Sequence, residues 1–311
     1  MEKTLIRLGH SPDPDDAFMF YGLAHGQVDP GPFRFEHILR DIQTLNDWAR
    51  EGRLEVTAIS VHAYPYVQQR YALLNCGASM GATELARYVP DDHELWLGHP
   101  AQDYGPLLPK TNPPTGVHGP LLVAAQPFSL EELKGKLIAI PGTLTSAYLA
   151  LQMALGPVEH LVMMFDEIPT AVKLGKVDAG LLIHEGQLTY RSLGLHLLLD
   201  LGKWWFEATR LPLPLGGNVI RRDLGPEKMA QVSRILRASI DYSLAHRAEA
   251  VRYALQFGRG LDTRLADQFV GLYVNAWTLN FGPAGRAAVR EFLARGQAQG
   301  LVPPVTDWQF I

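Results

Sequence analysis

Residues 5–21 run Leu5-Ile-Arg-Leu-Gly-His-Ser-Pro-Asp-Pro-Asp-Asp-Ala-Phe-Met-Phe-Tyr21, and this stretch decides the fold class. Leu5–Gly9 has the pattern of a short strand. Ser11–Asp16 predicts a loop that ends in a helix N-cap, and Ala17–His25 has apolar residues at helical spacing before Gly26, a typical C-terminal residue. A strand followed at once by a helix indicates an α/β protein.

Short strand patterns and helix patterns go on alternating along most of the chain. Further strands are predicted at Phe33–Ile38, Val56–Ile59, Leu121–Ala125, Lys136–Ile140, Leu161–Phe165, Gly180–Ile183 and Leu197–Leu201. Helices are predicted at Asp41–Glu51, Ala63–Arg70, Ser146–Leu155 and Ile168–Leu174, and the chain is mostly helical from Pro226 onward. This alternation favours parallel α/β sheets in two units. Leu211–Gly217 has the extended, proline-rich character of a connection that leaves the second unit.

The segment between about Gly81 and Gly119 breaks this alternation, because it carries six prolines and no sustained periodicity. Long loops of this kind are uncommon in compact domains and are often functional. We assign residues 83–118 as an insertion near a domain boundary. A lid over a cleft, an oligomer contact and a solvated surface loop are all open interpretations.

Composition excludes several classes of protein. A length of 311 residues suits about two domains, and 47% hydrophobic with 19% charged residues indicates a folded globular chain. A net charge of -4 provides no footprint for nucleic acid or an anionic membrane. Cys76 is the single cysteine, which excludes an intramolecular disulfide and a cysteine-based zinc cage. The absence of a long apolar run and of a signal-peptide pattern leads us to expect a cytoplasmic protein without membrane partners.

Polar residues at strand ends are the candidate site, because ligands of open α/β sheets bind outside the carboxyl ends of the strands. Asp16 follows the first strand, where a helix N-terminus favours anions, although an acidic residue there also serves as a plain N-cap. Ser60 ends the segment Thr57–Ser60, with His62 close behind. Its hydroxyl suits either a ligand or a helix cap.

Two further strand ends carry chemistry. Thr145 and Ser146 close a turn of small residues that begins at Gly142, and their hydroxyls form a cradle for a carboxylate or a plain N-cap. His184 ends the apolar strand that starts at Gly180, where a histidine can act as a general base near neutral pH or play a structural role. Without further context these residues predict a two-lobed α/β protein with a small-molecule cleft.

Several ordered strings resemble the menaquinone biosynthesis family of the futalosine pathway. They are Gly9–Tyr21, Gln43-Thr-Leu-Asn46, the segment Thr57–Tyr64 with Ser60 and Ala63, Pro141–Tyr148 with Thr145 and Ser146, Gly180-Leu-Leu-Ile-His-Glu185, Asp200-Leu-Gly-Lys-Trp-Trp205 and Leu211-Pro-Leu-Pro-Leu-Gly216. The resemblance covers nearly the whole chain apart from the Gly81–Gly119 region, and it is strongest to members that form 1,4-dihydroxy-6-naphthoate.

The resemblance implies a type II periplasmic-binding-protein-like fold, in which two α/β lobes flank a cleft beside a hinge. We expect lobe one at residues 1–118 plus 218–311 and lobe two at 119–217, in a monomer or homodimer. The implied activity is a lyase that converts cyclic dehypoxanthine futalosine, a small-molecule carboxylate, to 1,4-dihydroxy-6-naphthoate without metal or organic cofactor. His184 falls on the general base of the family. The implied substrate-contacting positions are Asp16, Ala58, Ile59, Ser60, Thr145 and Ser146.

Two departures bear on the identity of the substrate. Ala58 stands where members often carry a basic residue, and a motif that commonly ends in Asn-Asp-Thr here ends in Asp15-Asp16-Ala17. We therefore keep two other functions as alternative hypotheses. One is a diverged cytosolic solute-binding protein of the same fold. The other is a chorismate dehydratase, against which the start Pro14–Phe18 and His184 both argue.

Overall fold

A computed structural model describes residues 3–81, 117–258 and 261–311. Most of the predicted insertion 83–118 lies outside these ranges, so its interpretations as a lid, an oligomer contact or a surface loop stay predictions. Within them, the strands are β1 (Thr4–His10), β2 (Phe33–Leu39), β3 (Val56–Ser60), β4 (Tyr71–Leu73), β5 (Ser79–Met80), β6 (Leu121–Ala124), β7 (Ile138–Ile140), β8 (His160–Val162), β9 (Ala179–Leu182), β10 (His196–Asp200) and β11 (Pro214–Arg221).

Helices cover the sheets and build the C-terminal part of the chain. They are α1 (Pro14–Ala24), α2 (Ile42–Glu51), α3 (Tyr64–Val67), α4 (Ser146–Leu155), α5 (Ile168–Lys173), α6 (Gly186–Thr189), α7 (Leu201–Thr209), α8 (Pro226–Ala245), α9 (Arg247–Ala254), α10 (Thr263–Tyr273), α11 (Ala276–Leu279) and α12 (Gly282–Ala298). No helix in the described ranges has both the length and the apolar character needed to cross a membrane.

The strands form two separate mixed sheets. The first has the order β2-β1-β3-β11-β4, with β5 also paired to β11, and the second has the order β10-β6-β9-β7-β8. The predicted division into lobes stays a prediction, and its boundary between residues 217 and 218 lies inside β11.

The expectation of purely parallel sheets is wrong in part. β1 pairs in parallel with β2 and β3, whereas β11 runs antiparallel to β3 and β4. In the second sheet β6 runs antiparallel to β9 and β10. The chain re-enters the first sheet after completing the second, so β11 enters it in the opposite direction. For the same reason Leu211–Gly217, expected as a connection, contributes its last four residues to β11, where Pro214 takes the first position that a strand tolerates.

Helix α1 begins earlier than predicted, at Pro14 rather than Ala17. Proline suits the first helical position, because its fixed φ is already helical and its missing N–H would have had no intrahelical acceptor. Asp13 therefore takes the N-cap position and Asp16 lies within the first turn. The interpretation of Asp16 as an N-cap is wrong.

One buried apolar cluster joins the two sheets. It contains Leu73 and Val219 from the first sheet, Ile140 and Leu181 from the second, and Phe292 from α12. Each such side chain contributes about 1.5–3 kcal/mol when fully buried. This shared core holds the two sheets against each other, and their loops meet at one cavity.

Candidate functional site

The cavity has a volume of about 110 Å³ and is lined by residues from both sheets. Four strands, β1, β3, β7 and β9, end at or just before a segment that lines the cavity. All seven residues predicted from the sequence line it, namely Asp16, Ala58, Ile59, Ser60, Thr145, Ser146 and His184. No lysine or arginine of the described residues lines this cavity.

His184 lies two residues beyond β9 and reaches across to the first sheet. Its Nδ1 is 3.5 Å from Oδ2 of Asp13. The ring packs edge-on against Phe165, with centroids 3.9 Å apart at an interplanar angle of 65°. Its Nε2 is buried and has no hydrogen-bond partner in the described part of the chain. One ring nitrogen thus faces a carboxylate, and the other is left to a ligand.

The N-cap and the first turn of α1 carry three aspartates, Asp13, Asp15 and Asp16, into the cavity wall. Oδ2 of Asp16 accepts hydrogen bonds from the backbone N–H of Ser11 at 2.7 Å and from its hydroxyl at 2.9 Å. Burial raises the pKa of Asp16 to about 6 despite these bonds. The pKa of Asp15 is raised well above its ordinary value by burial and by the neighbouring charges of Asp16 and Asp13. The first turn of α1 can therefore hold a proton near neutral pH.

The hydroxyls of Thr145 and Ser146 already have partners within the protein. Thr145 Oγ1 accepts from the N–H of Tyr148 at 3.2 Å, as the N-cap of α4, and donates to the carbonyl of Gly142 at 2.8 Å. Ser146 Oγ donates to the carbonyl of Leu215 at 2.5 Å and accepts from the N–H of His62 at 3.2 Å. In this conformation both hydroxyls serve the fold, and Ser146 joins the two sheets.

Ser60 is placed differently. Its N–H donates to Oδ1 of Asn46 at 2.8 Å, and its Oγ accepts from Nδ2 of Asn46 at 3.1 Å. Within the described ranges the hydroxyl hydrogen of Ser60 has no protein acceptor, so it can donate to a ligand. The neighbouring Ala58 and Ile59 provide an apolar wall and backbone groups.

Sequence reasoning missed three lining residues of chemical interest. Asp13 and Asp15 stand in the same acidic run as Asp16, and that run was the available signal. Tyr273 ends α10 and also lines the cavity, where its hydroxyl donates to Oε1 of Gln187 at 2.7 Å. Nothing in the local pattern of α10 marks Tyr273, because its position depends on the packing of that helix against α1 and α9.

One group of side chains in the described ranges could hold a cation. Ligand atoms of Asp13, His184 and Glu185 lie within 4.8 Å of one another. Carboxylate and imidazole ligands of this kind suit Zn²⁺ or Mn²⁺. The expectation that the protein works without metal stays a prediction.

Comparison with solved structures defines the class of protein. An alkanesulfonate-binding protein from Xanthomonas axonopodis pv. citri has a TM-score of 0.65 at 14% identity, covering 98% of this chain and 96% of its own. A Candida albicans protein described as having the generic periplasmic binding protein fold has a TM-score of 0.64 at 10% identity, covering 97% and 92%. The chain therefore has the two-lobed α/β fold of periplasmic binding proteins.

Sequence comparison narrows this class. A family profile described as menaquinone biosynthesis matches residues 6–84 and 115–298. A 1,4-dihydroxy-6-naphthoate synthase from Thermus thermophilus is 38% identical over 299 residues, 96% of each chain. A synthase of the same name from Streptomyces coelicolor is 34% identical over 309 residues, 97% of this chain and 96% of its own. The chain belongs to the menaquinone biosynthesis family.

One solved crystal structure has a sequence identity to this chain comparable to that of the two synthases. A protein from Archaeoglobus fulgidus is 41% identical and has a TM-score of 0.82, over 96% of this chain and 98% of its own. Sequence and structure comparisons thus agree over nearly the full length.

Proposed function

We propose that this protein is a carbon–carbon lyase that converts cyclic dehypoxanthine futalosine to 1,4-dihydroxy-6-naphthoate, with His184 as its general base. The names of the Thermus and Streptomyces relatives support the product. The position of His184, with a buried ring nitrogen beside the shared cavity, is the observation that carries the proposal.

The residue types suit this chemistry. Loss of the sugar portion and formation of an aromatic ring require abstraction of a proton and cleavage of a carbon–carbon bond, and aromatisation drives the reaction. A neutral imidazole takes the proton. An aspartic acid whose pKa is raised, such as Asp16 or Asp15, can return a proton to the departing fragment.

The substrate carboxylate would bind at the start of α4. The first N–H groups of a helix have no intrahelical acceptors, and α4 begins at Ser146 beside the cavity. Thr145 and Ser146 hold this helix end in place. Ser60 would donate its hydroxyl to the substrate, while Ala58 and Ile59 would pack against its ring system and Asp16 would contact its sugar hydroxyls.

Incubation of the purified protein with cyclic dehypoxanthine futalosine tests the proposal, with the naphthoate product followed by liquid chromatography and mass spectrometry. Turnover that falls about 10²–10⁴-fold in His184→Ala supports His184 as the base. His196→Ala is the matched control, because His196 is exposed on β10. Binding without product would favour the solute-binding protein, and product from chorismate instead would favour the dehydratase.

We also propose that the protein acts in the cytoplasm, as a monomer or homodimer, with no metal or organic cofactor. Its membership of a biosynthetic family supports this setting. Light scattering after size-exclusion chromatography determines the oligomeric state. Full activity after dialysis against a chelator would support the cofactor-free reaction, and lost activity would contradict it.

A further inference from the structure

Asp13 and His184 come from different sheets and meet beside the cavity. Asp13 precedes α1, after the first strand of the first sheet, and His184 follows β9 of the second sheet. The carboxylate is 3.5 Å from Nδ1 of the imidazole, and the side chains are 1% and 14% exposed. A buried charge is costly unless a partner offsets it, so the pairing of these two groups is significant.

Asp13 does not use its side chain as a helix cap. It has the extended backbone conformation of an N-cap residue, with φ -121° and ψ 154°, yet its side chain makes no cap hydrogen bond. By contrast, the N-cap residues Asp41 and Asp262 both accept from a helix N–H. A side-chain cap contributes about 0.5–2 kcal/mol. Asp13 forgoes this contribution and places its carboxylate at the histidine instead.

The position of the carboxylate selects one form of the neutral imidazole. A carboxylate accepts hydrogen bonds only, so it favours the tautomer with the proton on Nδ1. The lone pair is then on Nε2, the nitrogen that has no partner in the described residues. Phe165 packs against the ring and limits its rotation.

We propose that Asp13 is a positioning residue for the general base: it holds His184 in the Nδ1–H tautomer, with Nε2 directed to the substrate, and it does so only when the two sheets are closed on each other. Separation of the sheets would remove the carboxylate from the imidazole. Closure on a substrate then excludes water and completes the base in the same movement. The kinetic part of this inference rests on the proposed function, whereas the tautomer of His184 does not.

Nitrogen NMR of protein labelled with ¹⁵N-histidine tests the tautomer directly. The spectrum of His184→Gln identifies the signals of His184. We expect the Nδ1–H form in the unmodified protein, a shift towards the Nε2–H form in Asp13→Ala, and recovery of the Nδ1–H form in Asp13→Glu. Asp178→Ala is the control, because Asp178 is a structural carboxylate that accepts from the N–H of Leu137 at 2.8 Å. The same tautomer in Asp13→Ala and the unmodified protein would overturn the proposal.

Kinetics provide a second, separate measurement. In Asp13→Ala we expect kcat to fall about 10²-fold with KM nearly unchanged, since the loss is one of base geometry rather than of substrate contacts. Asp13→Glu should recover part of kcat.

The outcomes separate this inference from the proposed function. The expected tautomers in a protein that produces no naphthoate would support the positioning role and contradict the lyase. Turnover with an unchanged kcat in Asp13→Ala would support the lyase and overturn the role of Asp13. Activity that a chelator removes and Zn²⁺ or Mn²⁺ restores would make Asp13 a metal ligand and would also overturn it.

Discussion

The hydroxyl of Tyr273 donates a hydrogen bond to Oε1 of Gln187 at 2.7 Å, and this bond joins α10 to α6 beside the cavity. Both residues are buried, with Tyr273 3% and Gln187 8% exposed. Burial raises the pKa of Tyr273, so the phenol keeps its proton and remains a donor. The contact is a second polar link, besides Asp13 and His184, between the chain near β9 and the other side of the cavity.

Tyr273→Phe should therefore weaken closure. It removes the donor and leaves the amide oxygen of Gln187 buried without that bond, at a cost of about 1–3 kcal/mol in the free energy of unfolding. We expect a rise of roughly threefold to tenfold in Kd for the substrate, measured by calorimetry, with kcat changed little. Tyr253→Phe is the control, since Tyr253 packs its ring against Tyr21 and His25 at α1. Equal affinities in both variants would contradict a role in closure.

Gly142 allows α2 to approach the loop before α4. A Cβ at Gly142 would lie 2.9 Å from Cβ of Gln43, whose Oε1 accepts from the N–H of Leu144 at 3.0 Å. Gly142→Ala should displace Gln43 and lower the free energy of unfolding by about 1–3 kcal/mol, measured by urea denaturation. In Gly271→Ala the new Cβ meets only the flexible end of Arg247, at 3.3 Å, so stability should not fall. If Gly142→Ala left the free energy of unfolding unchanged, the loop before α4 would be shown to move enough to accommodate the new Cβ.

Substitution of Thr145 should change the free energy of unfolding more than it changes the KM for the substrate. Thr145→Ala removes the N-cap bond to Tyr148 and should cost about 0.5–2 kcal/mol in the free energy of unfolding. Thr145→Ser keeps the hydroxyl and should keep most of that stability. Measurement of KM in the two variants separates capping from binding. A raised KM in Thr145→Ala at temperatures where it is fully folded would assign a substrate contact to the hydroxyl.

His62 should make the protein less stable in acid. Burial lowers the pKa of His62 to about 4, whereas an unfolded histidine titrates near 6.5. The unfolded chain therefore binds the extra proton between these values, and the free energy of unfolding falls as pH drops from about 6.5 to about 4. His62→Gln should reduce this dependence by up to about 1.4 kcal/mol per pH unit in urea unfolding. An unchanged pH dependence in His62→Gln would refute the prediction.

The contribution of Asp16 to the pH dependence of stability should have the opposite sign to that of His62. Burial raises the pKa of Asp16 to about 6, so the folded protein binds more protons than the unfolded chain between about pH 4 and pH 6. Stability from this group is present in acid and is lost as pH rises through that window. Asp16→Asn should therefore unfold at a higher temperature than the unmodified protein at pH 7.5 and show little gain at pH 4, while turnover falls. A gain of equal size at both pH values would contradict the raised pKa.

The local elements around the site could be predicted from particular residues. Helix α4 runs from Ser146 to Leu155 as predicted, because Thr145 caps its first turn and Gly156 follows its last residue. Helix α2 likewise lies between its cap Asp41 and Gly52, which adopts a left-handed φ of 74°. These signals act over three or four residues, so they are legible in the sequence.

The candidate site could be predicted only in part, because sequence signals act over a few residues whereas the contacts in the site join distant ones. The sequence by itself determined which side chains stand at strand ends, so His184 and Ser60 could be placed beside a cavity. Tertiary structure alone decided that β11 lies between β3 and β4, and that Asp13 faces His184 while Tyr273 faces Gln187. Those pairs join residues far apart in the chain, and their contacts depend on how the apolar core packs the two sheets together. The sequence around a hydrogen-bonding group carries no signal for a partner that is brought within reach only by this packing.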